Sequence, residues 1–455
     1  MAHHFTEAGR ADCALPWWRR AGERARERSA NLEAVRHIGK ALDLISSLPE
    51  TPARLEEELA LRMAIAAPLI ATKGYAALEV EGAYRAARDL CHRLDRPADL
   101  FPALRGLWNC YSVRGALQPA YDLAEQLVGL ADGKEERPLW RALSRRAIGT
   151  SLISRGDFIT ALRHLEEGIG FSDAVEDVGT GASGLALYGE HPGIVCRLYL
   201  GWVLWFLGFS DRGLAQADKG LAMARLQAHA HMLAFALDRR AVVHLFRREH
   251  CAALRHAEET IAVATEQGLP QWRAAGLMCR GFARAGLGQA AEGIADLRTG
   301  LAAYHATGGQ LGNSWWLGFL AAAHAGAGQM EEALVALDAA MEWVTSAGEQ
   351  IYEAELYRLR GEVLLARSDN AASATNGEPW LRKALACAGK QSARSLQIRA
   401  ATSLARLWRE QGKHVEARNL LVPIYGWFTE GFDTIDLKEA RSLLDELTCS
   451  APQQH

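Results

Sequence analysis

The sequence predicts an all-α chain, a right-handed superhelical solenoid of antiparallel helix hairpins with about 40 residues in each. Three observations carry this. Ala, Leu, Arg and Glu dominate and Pro is sparse, with 13 in 455 residues, a composition that favours helix over strand. Turn residues recur at a constant interval, at Gly208, Arg248, Gly288 and Gly328, each 40 residues after the last, with Gly115 and Gly156 before them and Gly412 after. The residues flanking each turn repeat their type at the same offsets, as one supersecondary unit copied along a chain requires.

The second helix of each hairpin follows its turn. Five residues on, the side chain is small (Ala120, Ala161, Gly213, Ala253, Gly293, Ala333, Ala417). Apolar residues follow at nine (Leu165, Leu297, Leu337) and thirteen (Val128, Ile169, Leu301), so one helical face repeats. The first helix precedes the turn, with another small residue seven before it, as at Gly201, Ala241, Gly281 and Ala321. Small side chains at these two positions let the helices of a hairpin approach closely, and Gly at the anchor permits the positive φ of a tight connection. This is the tetratricopeptide pattern, with units near 40 residues and without its trailing proline.

Residues 1–100 are expected to form less regular hairpins of this kind, with Ala34, Ile38 and Leu42 keeping the offsets from Ser29. Residues 101–447 should form the regular array, broken by loops at 173–191 and 368–378, and 448–455 a disordered tail. Ser368 lies 40 after Gly328 and anchors the interrupted hairpin.

Charge is nearly balanced, 51 basic residues against 54 acidic, with a pI near 6.6. No basic surplus marks a nucleic-acid face, and the arginines between Arg19 and Arg28 alternate with Glu23 and Glu27 as on a solvated helix face. Eight scattered cysteines without a C-x-x-C pair fit a reducing compartment. The N-terminus lacks the pattern of a secretory signal, and Leu198–Phe209 is too short to span a bilayer. A cytoplasmic chain that avoids membranes and nucleic acid is expected.

Catalytic and cofactor motifs fail one by one. Lys40, Lys134, Lys390 and Lys413 each follow Gly, but none precedes Ser or Thr, so no phosphate loop forms. His229 and His231 form H-x-H, which splays the rings on a helix and is a poor metal pair. Gly179 to Gly184 spells G-x-G-x-x-G, yet a helical segment precedes it where a dinucleotide fold needs a strand. No catalytic residue, metal site or cofactor is expected.

Thirteen tryptophans stand out, since Trp commonly anchors recognition surfaces. The first helix of each such hairpin lines the concave groove. Its inward positions, about 13, 10, 6 and 3 residues before each anchor, select Arg146, Trp202, Trp205, Asp238, Met278, Phe282 and Trp315 as a ligand or partner groove. Core packing is the competing reading for each aromatic.

Segments such as AHHFTEAG, YGEHPGI followed by WVLWFLG, and above all PIYGWFTEGFDTIDLKEARSLLDEL resemble one family. It is the C-terminal tetratricopeptide region of bacterial multidomain predicted ATPases of the STAND type, linked to class III adenylate/guanylate cyclase domains. The likeness runs from about Ala2 to Leu447. It implies a regulatory arm that receives a protein partner or small ligand for a cyclase/ATPase module. The cyclase and ATPase segments of that family are not matched, so their activities do not transfer. The family loop around Tyr188 and His191 adds these two residues to the expected groove. The second functional expectation is the ligand-sensing half of a transcriptional regulator lacking its DNA-binding domain.

Overall fold

The computed structural model describes residues 1–28, 30–132, 137–177, 190–227, 229–367 and 374–449. Every regular element among them is a helix, and the chain divides into two compact units, Met1–Gly133 with His305–Leu311, and Lys134–Tyr304 with Gly312–His455.

The first unit contains α1 (Ala2–Glu7), α2 (Ala11–Glu27), α3 (Asn31–Ile45), α4 (Pro52–Lys73), α5 (Leu78–Arg93), α6 (Pro97–Arg114) and α7 (Leu117–Ala131). Successive helices pack pairwise. Ile38, Ala41 and Ile45 of α3 meet Leu61, Ile65 and Leu69 of α4 in one apolar cluster. Thr51 caps α4, its hydroxyl accepting from Arg54 N at 3.2 Å, with Pro52 in the first turn where no donor is lost. The boundary expected at residue 100 falls within the unbroken α6, so the hairpin α6–α7 belongs with this unit. The turn after α6 is tied down by Val113 O, which accepts from Gln310 N and Leu311 N at 2.8 and 3.1 Å.

The second unit contains α8 (Pro138–Ser154), α9 (Phe158–Asp177), α10 (Pro192–Phe206), α11 (Ser210–Leu226), α12 (Ala230–Phe246), α13 (His250–Glu266), α14 (Pro270–Gly286) and α15 (Ala290–Ala306). It continues through α16 (Asn313–Gly326), α17 (Met330–Ala347), α18 (Glu353–Ala366), α19 (Ala374–Lys390), α20 (Arg394–Glu410), α21 (His414–Tyr425) and α22 (Ile435–Cys449). The repeat register holds. Gly201 faces Gly213 across one hairpin, and a Cβ on Gly281 would sit 2.6 Å from Gly293 O, so backbone touches backbone where small residues recur. The anchors take positive φ, 93° at Gly208, 87° at Gly288 and 75° at Gly328.

Each expected loop range overlaps a helix, at 173–177 and 374–378, and the remaining residues up to 189 and from 368 to 373 lie outside the described residues. α9 runs on through Asp173, whose carboxylate pairs with Arg197 at 2.7 Å. α19 begins at Ala374, within the polar stretch expected to be loop to 378, because Gly377 packs against Gly361 and Glu378 accepts from Trp408 Nε1 at 3.1 Å. The tail expected from 448 begins with helix to Cys449, and residues 450–455 lie outside the described residues.

The second unit also closes on itself through contacts between distant hairpins. Ser154 O accepts from Gln350 N at 2.7 Å. Ser395 Oγ donates to Trp205 O at 2.5 Å across 190 residues of sequence, and Arg248 Nη1 reaches Asp436 Oδ1 at 3.2 Å across 188. Glu430 Oε1 accepts from Asp211 N and Arg212 N at 2.9 and 3.0 Å, and Asp211 Oδ2 accepts from Gly431 N at 2.9 Å. First-turn amides have no partner within their own helix, so a carboxylate from the segment between α21 and α22 caps α11 and meets the positive end of its dipole.

Among the described residues no helix is long and apolar enough to cross a membrane, and no group of three or more His, Cys, Asp or Glu is placed to hold a metal. Gly281→Ala should destabilise the chain by about 1–3 kcal/mol, since the methyl meets backbone on two sides. Gly39→Ala, a helical position with open space around it, should stabilise by about 0.5–1 kcal/mol. Thermal or urea unfolding of the two variants checks the contrast in sign.

Candidate functional site: a charged cavity in the second unit

Closure converts the inward face of the second unit from a groove into an interior. Trp202 and Trp205 are each 1% exposed, and Trp202 Nε1 donates to Arg239 O at 3.0 Å. The Trp202 ring lies edge-on to Trp315 at 5.7 Å, Trp205 stacks on Phe246 at 4.8 Å, and Phe246 stacks on Tyr352 at 6.2 Å. Aromatics from α10, α12, α16 and α18 thus meet one another across the turn. Trp202 and Trp205 were expected to line an open groove and are instead packed in the core.

The remaining expected residues are placed as follows. Asp238 is fully buried, with its carboxyl pushed up by burial and opposed by Arg239, whose Nη2 stands 3.4 Å away. Cys279 Sγ faces its other oxygen at 3.6 Å. Arg239 in turn lies within 5.0–5.6 Å of the rings of Trp202, Phe235, Tyr199 and Trp272, so aromatic faces take the place of water around the guanidinium. Met278 is fully buried against Gly300. Arg146 and His191 are buried apart from these, near the start of α10. Arg146 pairs with Glu190 at 3.2 Å, and His191 caps α10 by accepting from Ile194 N at 3.3 Å. Tyr188 lies outside the described residues.

Of the expected residues, Phe282 borders a cavity of this unit, a space of about 250 Å³. Leu245, Phe282, Ala322 and Leu359 are among its apolar lining residues. Much of the rest of the lining is a network of charges. Glu355 is 3% exposed and binds Arg358 through both oxygens, at 2.8 and 2.9 Å, with Arg399 at 3.4 Å. Arg399 also holds Asp436 at 2.8 Å, donates to Phe246 O, and lies 5.0 Å from the Trp205 ring. Arg248 Nη1 bridges Asp436 and Glu439, at 3.2 and 2.9 Å, and Glu439 binds Arg406 at 2.8 Å. Glu362 joins Arg358 and Ser403, each at 2.6 Å.

Electrostatics follow from the pairing. Burial pushes the Glu355 carboxyl up, but Arg358 and Arg399 outweigh it and hold its pKa at about 2. Burial likewise opposes the Arg399 charge, and Asp436 and Glu355 overcome it, raising its pKa. Burial, then the charges of Arg248 and Arg399, lowers the pKa of His250. Two polar atoms at the cavity have no hydrogen-bond partner among the described residues, Thr402 Oγ1, on a residue 4% exposed, and His250 Nδ1.

These residues were within reach of the repeat register. Glu355, Arg358 and Glu362 stand 13, 10 and 6 residues before Ser368, and Arg399, Thr402 and Arg406 stand at the same offsets before Gly412. Their charges are those of a solvated helix face in the sequence, and only the meeting of distant hairpins buries Glu355 and Arg399. Arg248 carries its own signal, an arginine at an anchor that is otherwise glycine from Gly115 to Gly328. It adopts φ 60°, a strained choice for a side chain with Cβ, and its guanidinium reaches the α22 carboxylates.

The fold and cavity define a helical-repeat chain of the tetratricopeptide kind, with inward first-helix positions gathered around one cavity. No family model matches the chain. An uncharacterized protein of Rhizobium meliloti (strain 1021) is 26% identical over 423 residues, 90% of this chain and 39% of the relative, so the chain spans well under half the length of that curated relative. Among solved structures, the chain is similar to a Rap protein complexed with competence and sporulation factor, at 14% identity and a TM-score of 0.54, covering 86% of this chain and 99% of that one. It is also similar to the apo quorum sensor NprR of B. thuringiensis, at 12% identity and a TM-score of 0.46, covering 81% of this chain and 98% of that one.

Two outcomes test the network. Arg248→Ala keeps the strained turn and loses the pairs, whereas Arg248→Gly loses the pairs but relieves the turn. The glycine variant should therefore be the more stable by about 1 kcal/mol in urea unfolding. Glu355, with its pKa lowered from 4.5 to about 2, contributes stability that is present above pH 4.5 and lost as pH falls towards 2. Glu355→Gln should be less stable at neutral pH and show a flatter loss of stability across that window, measured by unfolding at successive pH values.

Proposed function

We propose that the chain is a non-catalytic binding module whose second unit holds a small ligand, or the end of a partner segment, in the charged cavity. One observation carries the reading. Inward positions of successive hairpins converge on one cavity, and Thr402, which borders it, carries a buried hydroxyl with no partner among the described residues. A buried polar group in that state costs about 1–3 kcal/mol, and a ligand that satisfies it recovers the cost. The neighbouring carboxylates and guanidiniums are bound to one another, an arrangement that recognises a polar molecule without the free, poised base or nucleophile that catalysis needs.

The Rap protein, complexed with competence and sporulation factor, is an example of a bound factor on a similar fold. The finer reading is that the chain serves as the regulatory arm of a cyclase-linked signalling ATPase. It is supported by the sequence resemblance and by the greater length of the R. meliloti relative. Ligand occupancy would then bias the closed form of the second unit, and differential affinity for closed and open forms would be the signal passed on.

Ala322→Phe, which fills the cavity from its apolar lining, tests this. Thermal-shift screening of polar metabolites and short peptides should yield a compound that raises the Tm of the wild-type chain and leaves the variant unmoved, with no ATP hydrolysis by either. Turnover of ATP, or stabilisers acting equally on both proteins, would contradict the reading.

A further inference from the structure

We propose that the ligand of this cavity is a free amino acid with an apolar side chain, bound as its zwitterion. The inference rests on the binding-module reading above and deepens it. Size is the first constraint. About 250 Å³ lies below the ~300–1,000 Å³ of pockets for drug-sized molecules, and at ~30 Å³ per water it corresponds to roughly eight waters. An amino acid fits such a space, whereas a long peptide does not.

Charge is the second constraint. Four arginines and four carboxylates border the cavity, so a lone anion or a lone cation meets as much repulsion as attraction there. A molecule with both charges a few bonds apart can set each against its opposite. Arg248 makes both its ion pairs through Nη1, and Arg406 binds Glu439 through Nη2, which leaves each guanidinium an edge for the ligand carboxylate. Both arginines are more than a third exposed, so they can turn towards a ligand, unlike the buried Arg399. Glu439 and Glu362 offer acceptors for the ammonium group, and Thr402 and His250, each with a buried polar atom that has no partner among the described residues, border the same cavity.

The apolar part of the lining fixes the side-chain class. Leu245, Ala322 and the half-buried Phe282 border the cavity together with Leu359. A branched or aromatic side chain laid there gains the hydrophobic and ring contacts that a polar one forfeits.

Isothermal titration of the full chain with L-phenylalanine and L-leucine tests the proposal, with phenethylamine and 3-phenylpropionate as analogues that each keep one charge. At least one amino acid should bind, and both single-charge analogues should bind at least tenfold more weakly. Arg406→Gln should weaken the amino acid by about tenfold, and Thr402→Val, which keeps the shape of the side chain, by about three- to tenfold. Binding of neither amino acid, or equal binding by a single-charge analogue, would overturn the proposal. If the amino acids fail while another compound still discriminates wild type from Ala322→Phe, the ligand class falls and the binding-module reading survives. If nothing discriminates them, both fall.

Discussion

The contact between hairpins nearly two hundred residues apart governs the second unit. A helical-repeat array needs only nearest-neighbour contacts to bury its core, and with those alone its inward face stays open. Here Glu430 caps the first turn of α11, Ser395 bonds the last turn of α10, and Arg399 reaches the carbonyl at the end of α12. Each bond lands on a helix terminus, where backbone groups lack partners within their own helix. Terminal backbone groups thus become the adhesive between distant hairpins.

Closure explains why so many charges are buried near α18, α20 and α22. Taking an ion from water costs several kcal/mol, and pairing roughly repays it, so such networks contribute little net stability. Removing one partner is another matter, at about 3–5 kcal/mol, because the other is left buried and alone. The network therefore acts as a constraint on which hairpins may meet. Arg248 shows the same logic in the backbone, since the strain of its positive φ is tolerated where its guanidinium spans Asp436 and Glu439.

Much of this was legible in the sequence because it is local. The spacing of Gly208, Gly288 and Gly328 gave the turns, and paired small residues such as Gly281 and Gly293 gave the close approach of two backbones. Of the residues selected by the register, Phe282 borders the cavity; Arg358 and Arg399 occupy the same inward offsets but were not among those selected. What it could not convey was curvature. A small rotation per hairpin, summed over many, decides whether Trp202 and Trp205 face solvent or meet Trp315 and Phe246, and no single repeat encodes that sum. The polar run before α19 failed for a related reason, because Gly377 is read as a loop residue until Gly361 is seen opposite it.

Amide hydrogen exchange at Asp211 and Arg212 tests closure most directly. As first-turn amides they have no partner within α11, so protection there reports only the bond to Glu430. Closure predicts slow exchange at both in the wild-type chain, faster by about ten- to a hundredfold in Glu430→Ala, with the middle of α11 unchanged in the two proteins. Rapid exchange at Asp211 and Arg212 in the wild-type chain would contradict it.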